Sequence, residues 1–283
     1  MIGAIVSFTS MAIAGRALAG LHDTFEIMTY RSLLGVVIVI VVGGWAGTLG
    51  QIRRDRLGLH LIRNTWHFAG QNLWFFAITA APLAQVFALE FSTPIWATLM
   101  APFFLGERLT RIRSISAALG FVGILIVARP ESGVALTPGL VAAGCAAICF
   151  AGAAISTRLL TRNQSITCIM FYLTLIQAVF GLITSGYDGD IGLPTAASAP
   201  WLAIVGVAGL VAHFCMTKAL SMAPAAVVMP IDFARLPIIA LVGVTLYNEP
   251  LEWAVLFGAV IIFTANYLNI RSETRAHRGR QPH

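Results

Sequence analysis

Apolar residues run through this chain in long blocks, and the polar positions between them come too rarely for a soluble fold. Ten such spans can be marked, over about residues 2–20, 26–46, 64–80, 83–104, 114–129, 138–158, 166–186, 200–220, 223–247 and 252–270. Blocks of this length suit helices that cross a hydrocarbon layer about 30 Å thick. Several connections hold only two to five residues, so neighbouring helices must be antiparallel and adjacent. Gly and Ala recur in nearly every span, and small residues let helix backbones approach closely in lipid. The pattern predicts an all-α integral membrane protein with ten transmembrane helices.

The pattern also repeats. Ala81–Leu109 reads APLAQVFALEFSTPIWATLMAPFFLGERL, and 142 residues later Ala223–Leu251 reads APAAVVMPIDFARLPIIALVGVTLYNEPL. At that offset Phe91 falls on Phe233, Glu107 on Glu249, and Glu90 on Asp232, so each copy carries one acid inside an apolar run. Phe8 and Phe150, Arg16 and Arg158, Ile27–Met28 and Ile169–Met170, and Tyr30 and Tyr172 keep the same register without a gap. The unit holds five spans, an odd number, so the second copy should sit upside down in the bilayer. The expected division is a first five-helix repeat at 1–130, an inverted second repeat at 131–271, and a basic tail at 272–283. Inverted repeats with a site at their interface near the midplane are a transporter architecture.

Composition agrees with the pattern. Hydrophobic residues make up 58% and charged residues 11%, against roughly 45–50% and 25% in soluble domains. The net charge of +6 does not point to nucleic acid, because the cations lie in short loops. Fourteen of the eighteen Lys and Arg fall on one side of the expected topology, among them Arg53, Arg54, Arg56 and Arg63 after the second span. By the positive-inside rule this predicts both termini in the cytoplasm. The first span begins almost at Met1 without a basic leader and reads as retained. Cys145, Cys149, Cys168 and Cys215 all sit within apolar spans, and neither their spacing nor their neighbours make a metal site. They read as packing residues.

The paired Ala-Pro openings at Ala81–Pro82 and Ala223–Pro224, and the run Leu-Gly-Glu-Arg-Leu-Thr at Leu105–Thr110, resemble the EamA family of the drug/metabolite transporter superfamily. Tyr247-Asn248-Glu249-Pro250-Leu251 departs from that pattern, losing the Gly-Glu pair while keeping the Glu and the Leu. Arg31 looks like the arginine often found in the second span of that family. The resemblance covers nearly the whole chain. It implies two inverted five-helix bundles around a central cavity lined mainly by the third, fourth, eighth and ninth helices. It leaves the substrate open, since the family moves amino acids, nucleotide-like metabolites, vitamins and drugs.

Candidate residues follow from polarity inside the spans. A carboxylate near mid-membrane costs roughly 2.5–3.5 kcal/mol and normally faces a cavity or a partner. Glu90 and Asp232 are therefore the first candidates, with Arg235, three residues from Asp232, able to join them in a small charged cluster. That cluster could touch a substrate or a coupling proton, or be a structural ion pair. An unpartnered Glu90 would suit proton coupling. In the third span His67, Gln71 and Trp74 share one stripe, with Asn72 beside it and Trp66 read as an interfacial anchor. His213 falls at the place of Gln71 at the shared offset, and offers an imidazole to a cavity or packs as an ordinary core residue. Arg31 could bind a substrate carboxylate bidentately, or snorkel to the headgroups. Tyr30 reads as a packing or gate residue. Pro94, Pro102, Pro230 and Pro237 mark the fourth and ninth spans as those that bend. Glu107 and Glu249 read as capping or loop-pairing residues.

An intramembrane enzyme would need an acid–base or metal constellation, such as HExxH, and the scattered His residues offer none. A channel would show rings of charge or a filter repeated by oligomeric symmetry. A secondary-active small-molecule carrier of the cytoplasmic (inner) membrane fits best. Export of amino acids or related metabolites is the first expectation, and uptake of a vitamin-like or aromatic metabolite the second. No cofactor is expected. The expected partners are a small-molecule substrate, membrane lipid and a proton as candidate coupling ion, with the chain a monomer or a homodimer.

Overall fold

The computed structural model describes residues 1–106, 110–128, 137–187, 191–222 and 231–278. Among these, every regular element is helical. The helices are α1 (Ile2–Ala17), α2 (Thr24–Trp45), α3 (Leu57–Ala80), α4 (Leu83–Glu90), α5 (Thr93–Leu105), α6 (Arg111–Ala128), α7 (Pro138–Leu160), α8 (Ile166–Ser185), α9 (Ala199–Met222), α10 (Arg235–Tyr247) and α11 (Trp253–Arg278). Helices α4 and α5 form one span, and a helical turn at Ile231–Asp232 leads into α10. The result is a ten-helix membrane protein.

Seven spans are long and apolar enough to cross a bilayer by themselves, while α1 and α10 are shorter apolar helices. Helix α3 has the length, with 24 residues, but not the apolarity. Its His60, Arg63, Asn64, His67, Gln71 and Asn72 are all buried in protein, which is where polar groups at membrane depth are tolerated. The third span was expected from residue 64, after a loop holding Arg56 and Arg63. Instead the helix starts at Leu57, and Arg63 lies inside the bundle, only 5% exposed.

The fourth span is interrupted. Helix α4 stops at Glu90, Phe91 and Ser92 form a turn, and α5 resumes at Thr93. The ninth does the same at Phe233–Ala234, between Asp232 and Arg235. Pro94 and Pro237 each fall in the first turn after a break, where a missing N–H costs no helical bond. Pro102 lies within α5. A broken helix in lipid leaves carbonyls without partners. At the first break the buried Asn266 of α11 donates its Nδ2 to the Phe91 carbonyl at 2.7 Å.

Helix ends follow their sequence signals. Asp23 and Glu26 form a capping box at the start of α2, Thr137 caps α7 with Pro138 next to it, and Ser165 caps α8. Helix α5 ends on Gly106 with φ 66°, and α10 on Asn248 with φ 53°. These residues are equivalent at the repeat offset. Asn is the other residue that accepts the left-handed conformation, so the departure of Tyr-Asn-Glu from Leu-Gly-Glu keeps the same helix stop.

Packing follows a twofold exchange of halves. Helix α2 packs on α8, α4 on α10 and α6 on α11, and the contact of α1 with α9 is mirrored by that of α3 with α7. The α6–α11 contact is close enough that a Cβ on Gly123 would lie 2.9 Å from the Gly258 carbonyl oxygen, and one on Gly258 2.9 Å from that of Gly123. Glu107, Arg108 and Leu109 of the Leu-Gly-Glu-Arg-Leu-Thr run, with Ala223, Pro224 and Pro230, lie outside the described residues.

Candidate functional site

The two span breaks bring charge together. Arg235 Nη2 donates to Glu90 Oε1 at 3.0 Å and to Asp232 Oδ2 at 3.0 Å, and Trp74 Nε1 donates to Glu90 Oε2 at 2.7 Å. Glu90 therefore has a basic partner, contrary to the condition under which it would suit proton coupling unaided. Arg235 and Asp232 are buried, at 3% and 6% exposure. Aromatic rings surround the guanidinium, with Cζ 4.6 Å from the Phe8 centroid and 5.1 Å from those of Phe87 and Phe91.

Each charge sits at the unfavourable pole of its own helix. Glu90 is the last residue of α4, where the dipole is negative, and Arg235 is the first of α10, where it is positive. Such placements cost about 0.3–1 kcal/mol each, well below the roughly 2.5–3.5 kcal/mol of each charge at membrane depth. Pairing across the halves offsets both. Asp232 Oδ1 and Arg235 Nε are buried without a hydrogen-bond partner among the described residues, as are Gln71 Oε1 and Asn72 Oδ1. The cluster can therefore form further hydrogen bonds.

A second polar group lies along α3. Gln177 of α8 donates its Nε2 to His67 Nδ1 at 2.7 Å, and His67 Nε2 meets His213 Nε2 of α9 at 3.2 Å. Because an amide nitrogen can only donate, two neutral rings have a single consistent proton arrangement. His67 carries its proton on Nε2 and donates to His213, and His213 then carries its own on Nδ1. That N–H makes no hydrogen bond to a described residue. Beyond His67, Arg63 donates to Asn64 Oδ1 at 3.0 Å and to Thr157 Oγ1 at 3.2 Å, and Asn64 donates to the Tyr172 carbonyl at 3.2 Å.

Arg31 does not snorkel. It is 6% exposed and turned inward against α9, where a Cβ on Gly209 would lie 2.7 Å from its Nε. Among the described residues its hydrogen bond goes to Met28 Sδ at 3.5 Å. With Ser32, Gly35, Thr174, Gln177, Gly206 and His213 it borders an internal space of about 10 Å³, room for about one water molecule.

Contacts close the bundle at the end where α1 stops. Arg16 pairs with Glu249, donates to the Ala81 carbonyl at 3.2 Å and stacks 4.5 Å over the Tyr247 ring. Glu249 also accepts from the Leu83 amide at 2.8 Å. These contacts join the ends of α1, α3, α4 and α10. Nearby, His22 bridges Glu26 and Ser198, each at 2.9 Å, and Tyr30 donates to the Gly192 carbonyl at 2.9 Å.

The expected residues thus divide. Glu90, Asp232, Arg235 and Trp74 come together, as do His67 and His213, with Arg31 beside them. Tyr30 instead ties down the connection before α9, Asn72 bonds back to Phe68 of its own helix, and Trp66 packs against Gly152 of α7. Asn64, Gln177 and the His22–Glu26–Ser198 network were not foreseen. For the last the available signal was the Asp23-x-x-Glu26 capping box. Among the described residues no group of His, Cys, Asp and Glu could hold a metal ion.

The family model described as the EamA-like transporter family matches twice, over residues 1–129 and 137–271. An S-adenosylmethionine uptake transporter of Rickettsia bellii is 26% identical over 96% of this chain and 92% of its own length. A riboflavin transporter of Brucella anthropi is 30% identical over 80% of this chain and 81% of its own length, and one of Vibrio cholerae 27% over 86% and 82%. A solved crystal structure of a protein superposes with a TM-score of 0.66 at 18% identity, covering 99% of this chain and 97% of that one. It is similar in fold.

Proposed function

Since the chain belongs to the EamA-like transporter family, we propose that it is a secondary-active carrier that takes up a nitrogen-rich metabolite by alternating access. The observation that carries the reading is the junction of Glu90, Asp232 and Arg235 between the two halves, at the breaks of their spans. Two carboxylates on one guanidinium leave a formal charge of −1, with rings on several sides and two buried polar atoms unused. A solute with a cationic centre and a flat ring system complements that site. Names among the relatives, S-adenosylmethionine uptake and riboflavin transport, favour this over export of amino acids. Gln71, Asn72 and the His67–His213 pair are the further residues proposed to meet solute as the chamber opens, and Tyr30 to act at its closure.

The carrier lies in the cytoplasmic membrane with both termini inside, and its repeats divide at about residues 130 and 131. Alternating access uses the breaks as hinges, one half rocking against the other. A proton arriving at Glu90 or Asp232 would bring the cluster to neutrality and loosen the guanidinium between them, which couples solute movement to a proton gradient.

The test is a thermal-shift screen on purified protein with S-adenosylmethionine, riboflavin and the common amino acids, since a ligand that binds the native state stabilises it. Stabilisation by a nitrogen-rich ring solute, lost in Asp232→Asn, is expected. Stabilisation by amino acids alone, or equally in Asp232→Asn, overturns the reading.

A further inference from the structure

Three arginines are buried within the helices described. Arg235 reaches two carboxylates, and Arg63 reaches Asn64 Oδ1 and Thr157 Oγ1. Arg31, also buried, has five N–H donors and, among the described residues, one weak sulfur acceptor, Met28 Sδ at 3.5 Å. A guanidinium at membrane depth without oxygen acceptors is expensive, and the cost is recovered only if an acceptor arrives. The space it borders is water-sized, about 10 Å³, and polar on several sides. Ser32, Thr174, Gln177 and His213 supply polar groups around it. The proton order running from Gln177 through His67 leaves His213 Nδ1–H as a further donor with no described partner.

We propose that Arg31, with His213 and the polar groups beside it, is a binding subsite for a carboxylate carried by the transported solute. The site rests on the carrier reading above and sharpens it. The chamber then has two poles, an acidic one at Glu90 and Asp232 and a basic one at Arg31. They are linked by Phe8, whose ring lies 5.7 Å from that of His213 and 4.6 Å from the Arg235 guanidinium. A solute with a cationic centre at one end and a carboxylate at the other satisfies both. The planar fork of Arg31 matches the two oxygens of a carboxylate, which a spherical halide cannot reproduce.

The probe is acetate. Thermal unfolding of the purified full chain is followed as sodium acetate replaces sodium chloride at constant ionic strength, in the wild type, Arg31→Gln and Arg31→Lys. Acetate is expected to raise the wild-type midpoint by about 2–4 °C over chloride. Arg31→Gln should abolish the rise, and Arg31→Lys, which keeps charge but loses the fork, should retain a smaller part. No rise in the wild type, or an equal rise in Arg31→Gln, overturns the subsite; chloride matching acetate assigns the position to a halide counter-ion and also overturns it. If Arg31→Gln does not fold, the lysine variant decides, and an undiminished rise there refutes the proposal. Uptake of S-adenosylmethionine by Asp232→Asn reports separately on the carrier reading, so the two can fail independently.

Discussion

Asn248 ends α10 in the same left-handed backbone well in which Gly106 ends α5, 142 residues earlier. The equivalence explains why one copy tolerates loss of its glycine. Asn248→Gly should leave the thermal midpoint in detergent unchanged or slightly raised. Asn248→Val should lower stability by about 1–2 kcal/mol, because a branched Cβ meets the following carbonyl at positive φ. Equal midpoints for the two variants would show that this backbone conformation is not what the position requires.

Asp232 and Arg235 should be energetically coupled. Arg235→Ala leaves two buried carboxylates without a countercharge and should cost about 3–5 kcal/mol, more than Asp232→Asn, which leaves Glu90 to hold the guanidinium. The double variant should be less damaged than the sum of the singles, by about 0.5–3 kcal/mol. Strict additivity of the midpoints would separate the two residues.

The Arg16–Glu249 pair should hold the bundle shut at the α1 end. Arg16→Glu or Glu249→Arg places like charges face to face, and each should reduce transport about tenfold. The exchange of both residues should recover much of that loss, though not all, since an arginine at 249 cannot accept the Leu83 amide. Proteoliposome uptake measures this, and an exchange variant no better than the singles would rule out a latch.

Asp55, exposed in the loop before α3, accepts the Gln164 amide at 3.1 Å. That bond first, then its own backbone and the nearby Arg53 and Arg56, hold its carboxyl below the usual carboxylate range. A carboxyl lowered by folding stabilises the fold above its unfolded value of about 3.9 and loses that contribution as pH falls through its folded value. Asp55→Asn should therefore lose that contribution near neutral pH and converge with the wild type in acid, which flattens the acid limb of the stability profile. An unaltered limb below about pH 4 would remove Asp55 from the acid response.

Much of this architecture could be read from hydropathy alone, because a bilayer demands long apolar blocks whatever the protein does. The repeat register also singles out Glu90 and Asp232, and the i, i+3 spacing adds Arg235. What could not be read is which way a side chain turns within a helix that is apolar on every side. Arg63 reads as a loop cation because its neighbours Arg56 and His60 are polar, yet α3 turns His60 and Arg63 inward while Leu57, Leu61 and Ile62 beside them stay exposed. Arg16 and Glu249 were each noted at the repeat offset, but the ion pair joins one half to the other, and only the exchange packing of α1, α4 and α10 reveals it. Breaks in the fourth and ninth spans were signalled by proline, although each falls just before Pro94 or Pro237 rather than at it.

Gly123 and Gly258 let α6 and α11 approach so closely that a Cβ on either would lie 2.9 Å from the other's carbonyl oxygen. A side chain at either position would meet the neighbouring backbone, so the seam requires residues without one. One helix from each of the two stretches that the family model matches thereby meets the other backbone to backbone. A branched residue at either position would wedge the two helices apart along their whole shared seam.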